Sequence, residues 1–586
     1  MKEGVGLKQP RCIHPEYIVP ISRASTEDFK TGEWNRDRPL FQEKLPPCRV
    51  GCPVGNHIAL ALFHASEDRF DESLKVFLQE NPLPGVCGRL CYHPCQGDCN
   101  REQFDGAVNI RALERSAADL GDARPAALTD IGKNQAVAVV GSGPAGLAAA
   151  YHLSRMGHPV TVFEAENQAG GMLRLAIPLH RLPEAVLERD LARIMSLGID
   201  LQCNVYVDAE KLERFLAEFQ AVFYAVGAHQ SRRLEIPGAE SRQVIAGLPF
   251  LKAVRRGQIE KLAGRTVVIG GGNVAIDAAM TARRLGAERV DIVSLEQRNE
   301  LPAHEGDFLD AQKEAIAFHH GWGPQEIGVT DKGVSNVKFI RCTSVFAGDG
   351  RFDPRFNKKD TLVLDADWVI PAIGQIPDPK AIGSGRLNRP VADRRQTHPE
   401  SPAPTVKGLY IGGDVSGLQG SVAAAIAAGK RAALNIHLDL NPAAYEQEFS
   451  KAALVEGPGF SIEAFFNPPP SWDPKIVVTF EDMDPLYLEH RGTLALPRLD
   501  PQQRVNGFDE INLGFNADMA LAEANRCFFC GTCVGCERCL LMCPDLSIHS
   551  IEGKTFMYQP QDAYCKGCGT CAAVCNRGVM TFGEKP

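Results

Sequence analysis

Hydrophobic and polar positions follow three different rhythms along the 586-residue chain. Up to about residue 125, apolar residues recur at helical spacing, as in DESLKVFLQE, and predict a helical leader. From Gln135 to about Leu440, short β-branched runs end in Gly-rich turns and lead into Ala-rich helices, the pattern of parallel βαβ units. Residues 441–520 carry NPPPSWDP and scattered aromatics without a sustained period, which predicts an extended linker packed on the body. Residues 521–586 are expected to form a compact module of their own.

The most apolar long window, Ala136 to Leu153, is interrupted by Gly141, Gly143, Pro144 and Gly146, so it reads as strand, turn and helix and no membrane span is expected. A hydrophobic content of 44%, a charged content of 23% and a net charge of −9 are those of a soluble globular protein without the basic excess that binds nucleic acid. The first thirty residues lack the charged start, apolar run and cleavage site of a secretory signal, so a cytoplasmic location is expected. In that setting the 19 cysteines favour metal ligation over disulfides. Six fall between Cys48 and Cys99 and ten between Cys527 and Cys575, whereas Cys12, Cys203 and Cys342 stand alone.

AVAVVGSGPAGLAAAYHL places a strand, then Gly141, Gly143 and Gly146 in G-x-G-x-x-G spacing, then a helix. Gly141 suits the tight turn, Gly143 the approach of a pyrophosphate and Gly146 close helix–strand packing, with the helix N-terminus directed at the anion. A second strand ends at Glu164, placed to accept from a ribose. The unit recurs at GRTVVIGGGNVAIDAAMTARRLG, where Gly270, Gly272 and Ala275, with Asn273 between them, form a second nucleotide fingerprint. Further on, KGLYIGGDVSGLQGSVAAAIAAGKRAA sets Gly413 and Asp414 at a strand end before a small-residue helix.

This order closely resembles the two-dinucleotide flavoproteins. The resemblance implies an α/β fold with two Rossmann-like domains: an FAD domain in two parts, 126–245 and 366–440, and an inserted NAD domain at 246–365. Gly413 and Asp414 would grip the flavin ribityl chain, and YAVGA and PAIGQIPD would be the crossings between domains. NADP-selective relatives place paired arginines where this chain has Leu295 and Glu296. A carboxylate at Glu296 would accept from both ribose hydroxyls and repel a 2′-phosphate, so NAD(H) is expected, unless Glu296 is a solvated surface residue and Arg298 or Arg283 serves NADP. No CxxC lies within 135–440, against a disulfide-reductase mechanism, and Cys203 and Cys342 read as buried small residues. No catalytic acid or base is expected.

At the C-terminal end, Cys533, Cys536, Cys539 and Cys543 before Pro544 spell C-x2-C-x2-C-x3-C-P, and Cys565, Cys568, Cys571 and Cys575 repeat the run with Asn576 in place of proline. The fourth cysteine of such a run crosses to the other cluster, which assigns Cys533, Cys536, Cys539 and Cys575 to one 4Fe-4S cluster and Cys543, Cys565, Cys568 and Cys571 to another in a ferredoxin-like α+β domain. A zinc ribbon would use two separated CxxC pairs instead. Cys527 and Cys530 are left over as spare thiols, ligands shared with another subunit, or an alternative register.

PPCRVGCPVGNHI, NPLPGVCGRLCYHPCQGDCNR and GAVNIRALE resemble the iron–sulfur leader of the glutamate synthase small subunit and of dihydropyrimidine dehydrogenase. The likeness covers residues 1 to about 440. It implies that Cys52, Cys91, Cys95 and Glu114 hold one 4Fe-4S cluster, unless Glu114 is an ordinary exposed carboxylate, and that Cys48 and Cys99 belong to a second. Two further family cysteines are absent where this chain reads FQEKLPP; Cys87 is the candidate replacement and Cys12 a distant one, so the leader holds one cluster or two. Beyond these redox modules no substrate domain is visible. The reading is an NADH-dependent electron-transfer subunit serving a catalytic oxidoreductase subunit, favoured as the 2-oxoacid oxidoreductase type. The alternatives are a stand-alone ferredoxin:NAD(P) oxidoreductase, a glutamate synthase small subunit, or a docking scaffold.

Overall fold

The computed structural model describes residues 30, 32, 35–129, 131–378, 406–417, 420–442, 460–467, 472–551 and 558–584. Cys12 lies outside them. The chain divides into a larger unit, Gln42–Val534 with Asn576–Val579, and a smaller one, Met1–Phe41 with Gly535–Cys575 and Met580–Pro586. Two expected boundaries shift accordingly. The leader expected over 1–125 is split at Phe41, and the module expected from 521 begins at Gly535.

In the larger unit the leader is helical, with Ile58–Ser66, Phe70–Leu78, Pro84–Leu90 and Ile110–Leu120 as its main helices. Asn109 caps the last of these by accepting from the Ala112 N–H. The flavin-type domain is a five-stranded parallel sheet in the order Leu409–Ile411, Ala221–Tyr224, Val137–Val140, Val160–Phe163, Asp200–Gln202. The strand Val137–Val140 is buried on both faces, as its unbroken apolar run requires.

The insert is a four-stranded parallel sheet, Ala317–His320, Arg289–Ser294, Arg265–Ile269, Trp368–Pro371, covered by the antiparallel meander Trp322–Thr330, Gly333–Phe346, Phe352–Asp365. Because Trp368–Pro371 pairs with Arg265–Ile269, the insert ends near residue 371 and not at 365. The two crossings meet as a short ribbon, with Gln375 opposite Ser231 and Ile376 opposite Gln230.

In the segment expected to wrap the body, the described residues contain structure of their own in Ile462–Phe466, Trp472–Val477 and Pro501–Arg504. One knot holds three parts of the chain together. Lys430 Nζ lies 2.5 Å from Glu80 Oε2, both side chains being 1% exposed, and donates to the Val54 and Phe460 carbonyls. Glu80 also accepts from the Ile462 and Glu463 amides. Removing one partner strands a buried charge, so Lys430→Met should cost about 3–5 kcal/mol, seen as a lower denaturation midpoint. An unchanged midpoint would show that the knot contributes nothing.

In the smaller unit, Asp37–Phe41 pairs antiparallel with Met580–Glu584, and a hairpin joins Ile548–Ser550 to Tyr558–Pro560. Short helices Arg538–Leu541 and Thr570–Ala573 each begin at a left-handed residue, Glu537 and Gly569. Among the described residues, no helix is long and apolar enough to cross a membrane.

Candidate functional site

A cavity of about 480 Å³ lies in the larger unit, lined by Gly141, Ser142, Gly143, Glu164, Gly413 and Asp414, among others. The first glycine turn is shaped by contact. A Cβ on Gly141 (φ +99°) would come within 2.6 Å of the Ala225 carbonyl oxygen, and one on Gly146 within 1.9 Å of the Gly141 carbonyl oxygen. A Cβ on Gly143 would meet nothing within 4 Å, which leaves open the face where a pyrophosphate would pass. Glu164 turns back onto this loop, accepting from the Ser142 and Glu166 amides at 2.9 Å and from the Ser142 hydroxyl.

Across the cavity, Gly413 has φ +77° and Asp414 opens a short 3-10 turn. Burial raises the Asp414 carboxyl above the ordinary range, opposed by a hydrogen bond from the Gly420 backbone. Gly420, Ser421 and Val422 also line the cavity, so the N-terminus of Val422–Leu440, capped by Ser421, faces it. These groups fit a bound dinucleotide: a loop with free space beside its second glycine, a ribose-height carboxylate and a helix terminus opposite.

Val274 and Asp277, from the helix of the second fingerprint, line the same cavity. Asp277 is held by Arg181 at 2.8 Å, a buried pair that the sequence patterns did not single out. At the second turn, a Cβ on Gly270 (φ +142°) would come within 2.4 Å of the Ala372 carbonyl oxygen, Gly272 faces open space and Ala275 is fully buried. Asn273 Oδ1 accepts from the His304 amide at 2.9 Å, which fixes the loop beyond the turn. Glu296 stands over the turn, its carboxylate 2.7 Å from where a Gly271 Cβ would be. Burial and the neighbouring Glu300 raise its pKa against the effect of its own backbone amide. The arginines considered for NADP are engaged: Arg298 pairs with Glu305 and lies 3.7 Å over the Phe308 ring, and Arg283 donates to the Ala287 and Glu288 carbonyls.

In the leader, Cys52, Cys91, Cys95 and Glu114 are close enough to act on one another electrostatically. The charged groups acting on Cys95 are Cys52, Cys48, Glu114 and Cys91, and those acting on Cys52 include Glu114 and Cys91. Burial chiefly pushes the Cys52 thiol up to about 11. Glu114 is not an exposed helix carboxylate: it is 3% exposed and receives Asn56 at 3.2 Å, Asn81 at 2.8 Å and His93 Nε2 at 2.7 Å. Cys87, the candidate partner of Cys48 and Cys99, has Glu114 as its strongest charged neighbour. The helix Pro84–Leu90 sets it beside Glu114 and Cys91, with Asn81 hydrogen-bonded to it.

In the smaller unit, one cavity is lined by Cys543, Cys565, Cys568 and Cys571 together with Pro544 and Lys566. Ser547 gives Cys543 two contacts of 3.3 Å, from its amide and its hydroxyl, and burial of this thiol is outweighed by such hydrogen bonds, which lower its pKa. Cys575 and Cys536 are the charged groups acting most strongly on Cys539. Cys533 falls in the larger unit. Among the described residues no group of three or more His, Cys, Asp or Glu is placed to hold a metal ion. In the body, Cys342 is buried as expected, whereas Cys203 is half-buried.

Residues 135–432 match the family model described as pyridine nucleotide-disulphide oxidoreductase, and residues 37–125 match that of dihydropyrimidine dehydrogenase domain II, 4Fe-4S cluster. The NADP(+)-dependent formate dehydrogenase subunit beta of Moorella thermoacetica is 32% identical over 516 residues, covering 83% of this chain and 70% of that protein. The NADPH-Fe(3+) oxidoreductase subunit beta of Geobacter sulfurreducens is 32% identical over 520 residues, covering 83% and 75%. The glutamate synthase [NADPH] small chain of Escherichia coli K12 is 32% identical over 420 residues, covering 66% and 87%. Together, the flavin-type cavity, the inserted second fingerprint and the cysteine leader agree with these matches, and the chain belongs to the pyridine nucleotide-disulphide oxidoreductase family, among the iron–sulfur oxidoreductases that include the glutamate synthase small chains.

Proposed function

We propose that this chain is an electron-transfer subunit that exchanges hydride with NADH and single electrons with a partner oxidoreductase. The observation that carries the reading is the shared cavity: the flavin-type fingerprint, the Gly413–Asp414 turn and the helix of the second fingerprint all line it. FAD bound there would convert a hydride pair into single electrons, and 4Fe-4S clusters would carry those electrons one at a time.

The protein's part is binding and placement. Gly143 and the helix N-terminus at Pro144 would receive the flavin pyrophosphate, Glu164 a ribose and Asp414 the ribityl chain. Gly270, Gly272 and Ala275 would seat the nicotinamide dinucleotide, with Glu296 at its adenosine ribose. Cys52, Cys91, Cys95 and Glu114 would hold one cluster, Cys543, Cys565, Cys568 and Cys571 another, and Cys536, Cys539 and Cys575 would contribute to a third. No side chain is required as a proton donor in hydride transfer.

Relatives named as beta subunits support the role of a subunit, and the name of one of them makes a formate dehydrogenase a second candidate partner beside the favoured 2-oxoacid oxidoreductase type. A cytoplasmic location accords with such partners. Anaerobic purification from the native host should yield FAD, iron and a second polypeptide carrying the substrate-reducing activity. A chain that purifies alone and reduces viologen dyes with NADH at its full rate would favour the stand-alone ferredoxin:NAD(P) oxidoreductase instead, and one without flavin would defeat the proposal.

A further inference from the structure

Once Cys52, Cys91, Cys95 and Glu114 are grouped and Cys87 is seen beside them, Cys48 and Cys99 remain two thiols short of a cluster. The missing pair comes from the far end of the larger unit. The strongest charged neighbours of Cys48 are Cys99, Cys527 and Cys530, and Cys530 in turn has Cys99 as its first. Direct contacts hold the two segments together. Asn100 Nδ2, next to Cys99, reaches Cys530 Sγ at 3.6 Å, and Arg101 donates to the Arg526 carbonyl beside Cys527. The Lys44 amide, just before Cys48, donates to the Gly531 carbonyl at 3.0 Å. Phe63 and Phe104 meet Phe529 and Phe528 edge-on, each at 5.7 Å.

The local backbone repeats a form seen at the other leader set. His93 and Phe529 both take left-handed φ values, +48° and +51°, and each donates its amide to the sulfur two residues earlier, Cys91 and Cys527, at 3.3 Å. Two bulky residues in that conformation are a strain that a thiolate-binding turn explains. Arg101, Arg526 and Arg577 supply positive charge around Cys99, Cys527 and Cys530, with Asp105 and Glu523 as their carboxylate partners nearby.

We propose that Cys48, Cys99, Cys527 and Cys530 hold a further 4Fe-4S cluster inside the larger unit. The site rests on the electron-transfer reading above. Assembly takes two ferrous and two ferric ions, four sulfides and four cysteine thiols, whose protons go to solvent as the iron–sulfur bonds form, and the loaded site then takes up or releases one electron with no bond made or broken.

The test is iron, zinc and acid-labile sulfide per FAD in the full-length chain, purified anaerobically. Wild type should hold about sixteen irons, and Cys527→Ser/Cys530→Ser about twelve with FAD retained, whereas Cys87→Ser should keep all of them. About twelve irons in wild type and double variant alike would overturn this inference alone. Loss of one zinc in place of four irons, or loss of iron in Cys87→Ser only, would overturn it too. A preparation without iron or FAD would defeat the underlying reading. Should the double variant not fold, Cys527→Ser alone should alter one electron paramagnetic resonance signal of the reduced protein, and an unaltered spectrum counts against the site.

Discussion

On the NADH preference proposed above, replacing Leu295 and Glu296 together by arginine should shift the preference to NADPH. Glu296 stands over the second glycine turn, where its carboxylate can accept from ribose hydroxyls and repel a 2′-phosphate. Hydrogen bonds to a charged group contribute about 1.5–3 kcal/mol each, so losing one set and gaining another should change the ratio of kcat/KM values by roughly 10²–10⁴-fold. The three relatives compared are named for NADP(H), which makes the wild-type measurement decisive. The raised pKa of Glu296 adds a pH signature: as pH falls the carboxylate is neutralised earlier than an ordinary one, so discrimination against NADPH should narrow in mildly acidic buffer. A wild-type preference for NADPH, flat with pH, would refute the assignment.

The second large effect separates binding from folding at one turn. A methyl group at Gly143 meets nothing, whereas one at Gly146 collides with the Gly141 carbonyl oxygen. Gly143→Ala should therefore fold with its full iron content and lose FAD affinity by about 10²-fold, because only the approach of the pyrophosphate is obstructed. Gly146→Val should lose flavin and also destabilise the sheet by about 1–3 kcal/mol or more, since the helix must withdraw from the strand. Flavin absorbance after gel filtration and thermal melting measure the two effects. Equal melting losses in both variants would show that Gly143 does not border the ligand.

The glycine motifs and the cysteine runs were legible because each position there is dictated locally. Gly141 and Gly270 occupy left-handed backbone next to a carbonyl, and C-x2-C steps bring thiols onto one surface whatever surrounds them. Glu296 was readable as a strand end. Residues whose role depends on distant parts of the chain were hidden. Nothing near Lys430 announces Glu80, and Arg181 and Asp277 lie in different domains of the sequence. Between 441 and 520, some described residues are held by side-chain to backbone bonds, such as Arg115 to the Asn512 carbonyl, which leave no period in the sequence. Cys527 and Cys530 looked surplus because the segment that Cys530 meets, at Asn100, lies 430 residues away in the chain. A CxxC immediately ahead of a complete ferredoxin-type run was the one available signal.

The pairing of Asp37–Phe41 with Met580–Glu584 also governs when the smaller unit can form. Its first strand leaves the ribosome early and must wait, unpaired, until nearly the whole chain has been synthesised, since Arg38 and Asp562 alone are 524 residues apart. The larger unit can complete its sheets first. The 4Fe-4S sites proposed for the smaller unit would then be loaded last, after the larger unit has closed, and a ribosome that stops short of residue 580 would release a chain whose larger unit is folded and whose smaller unit lacks a strand partner. Truncation at the C-terminus should accordingly leave a yellow protein that has lost its terminal carriers.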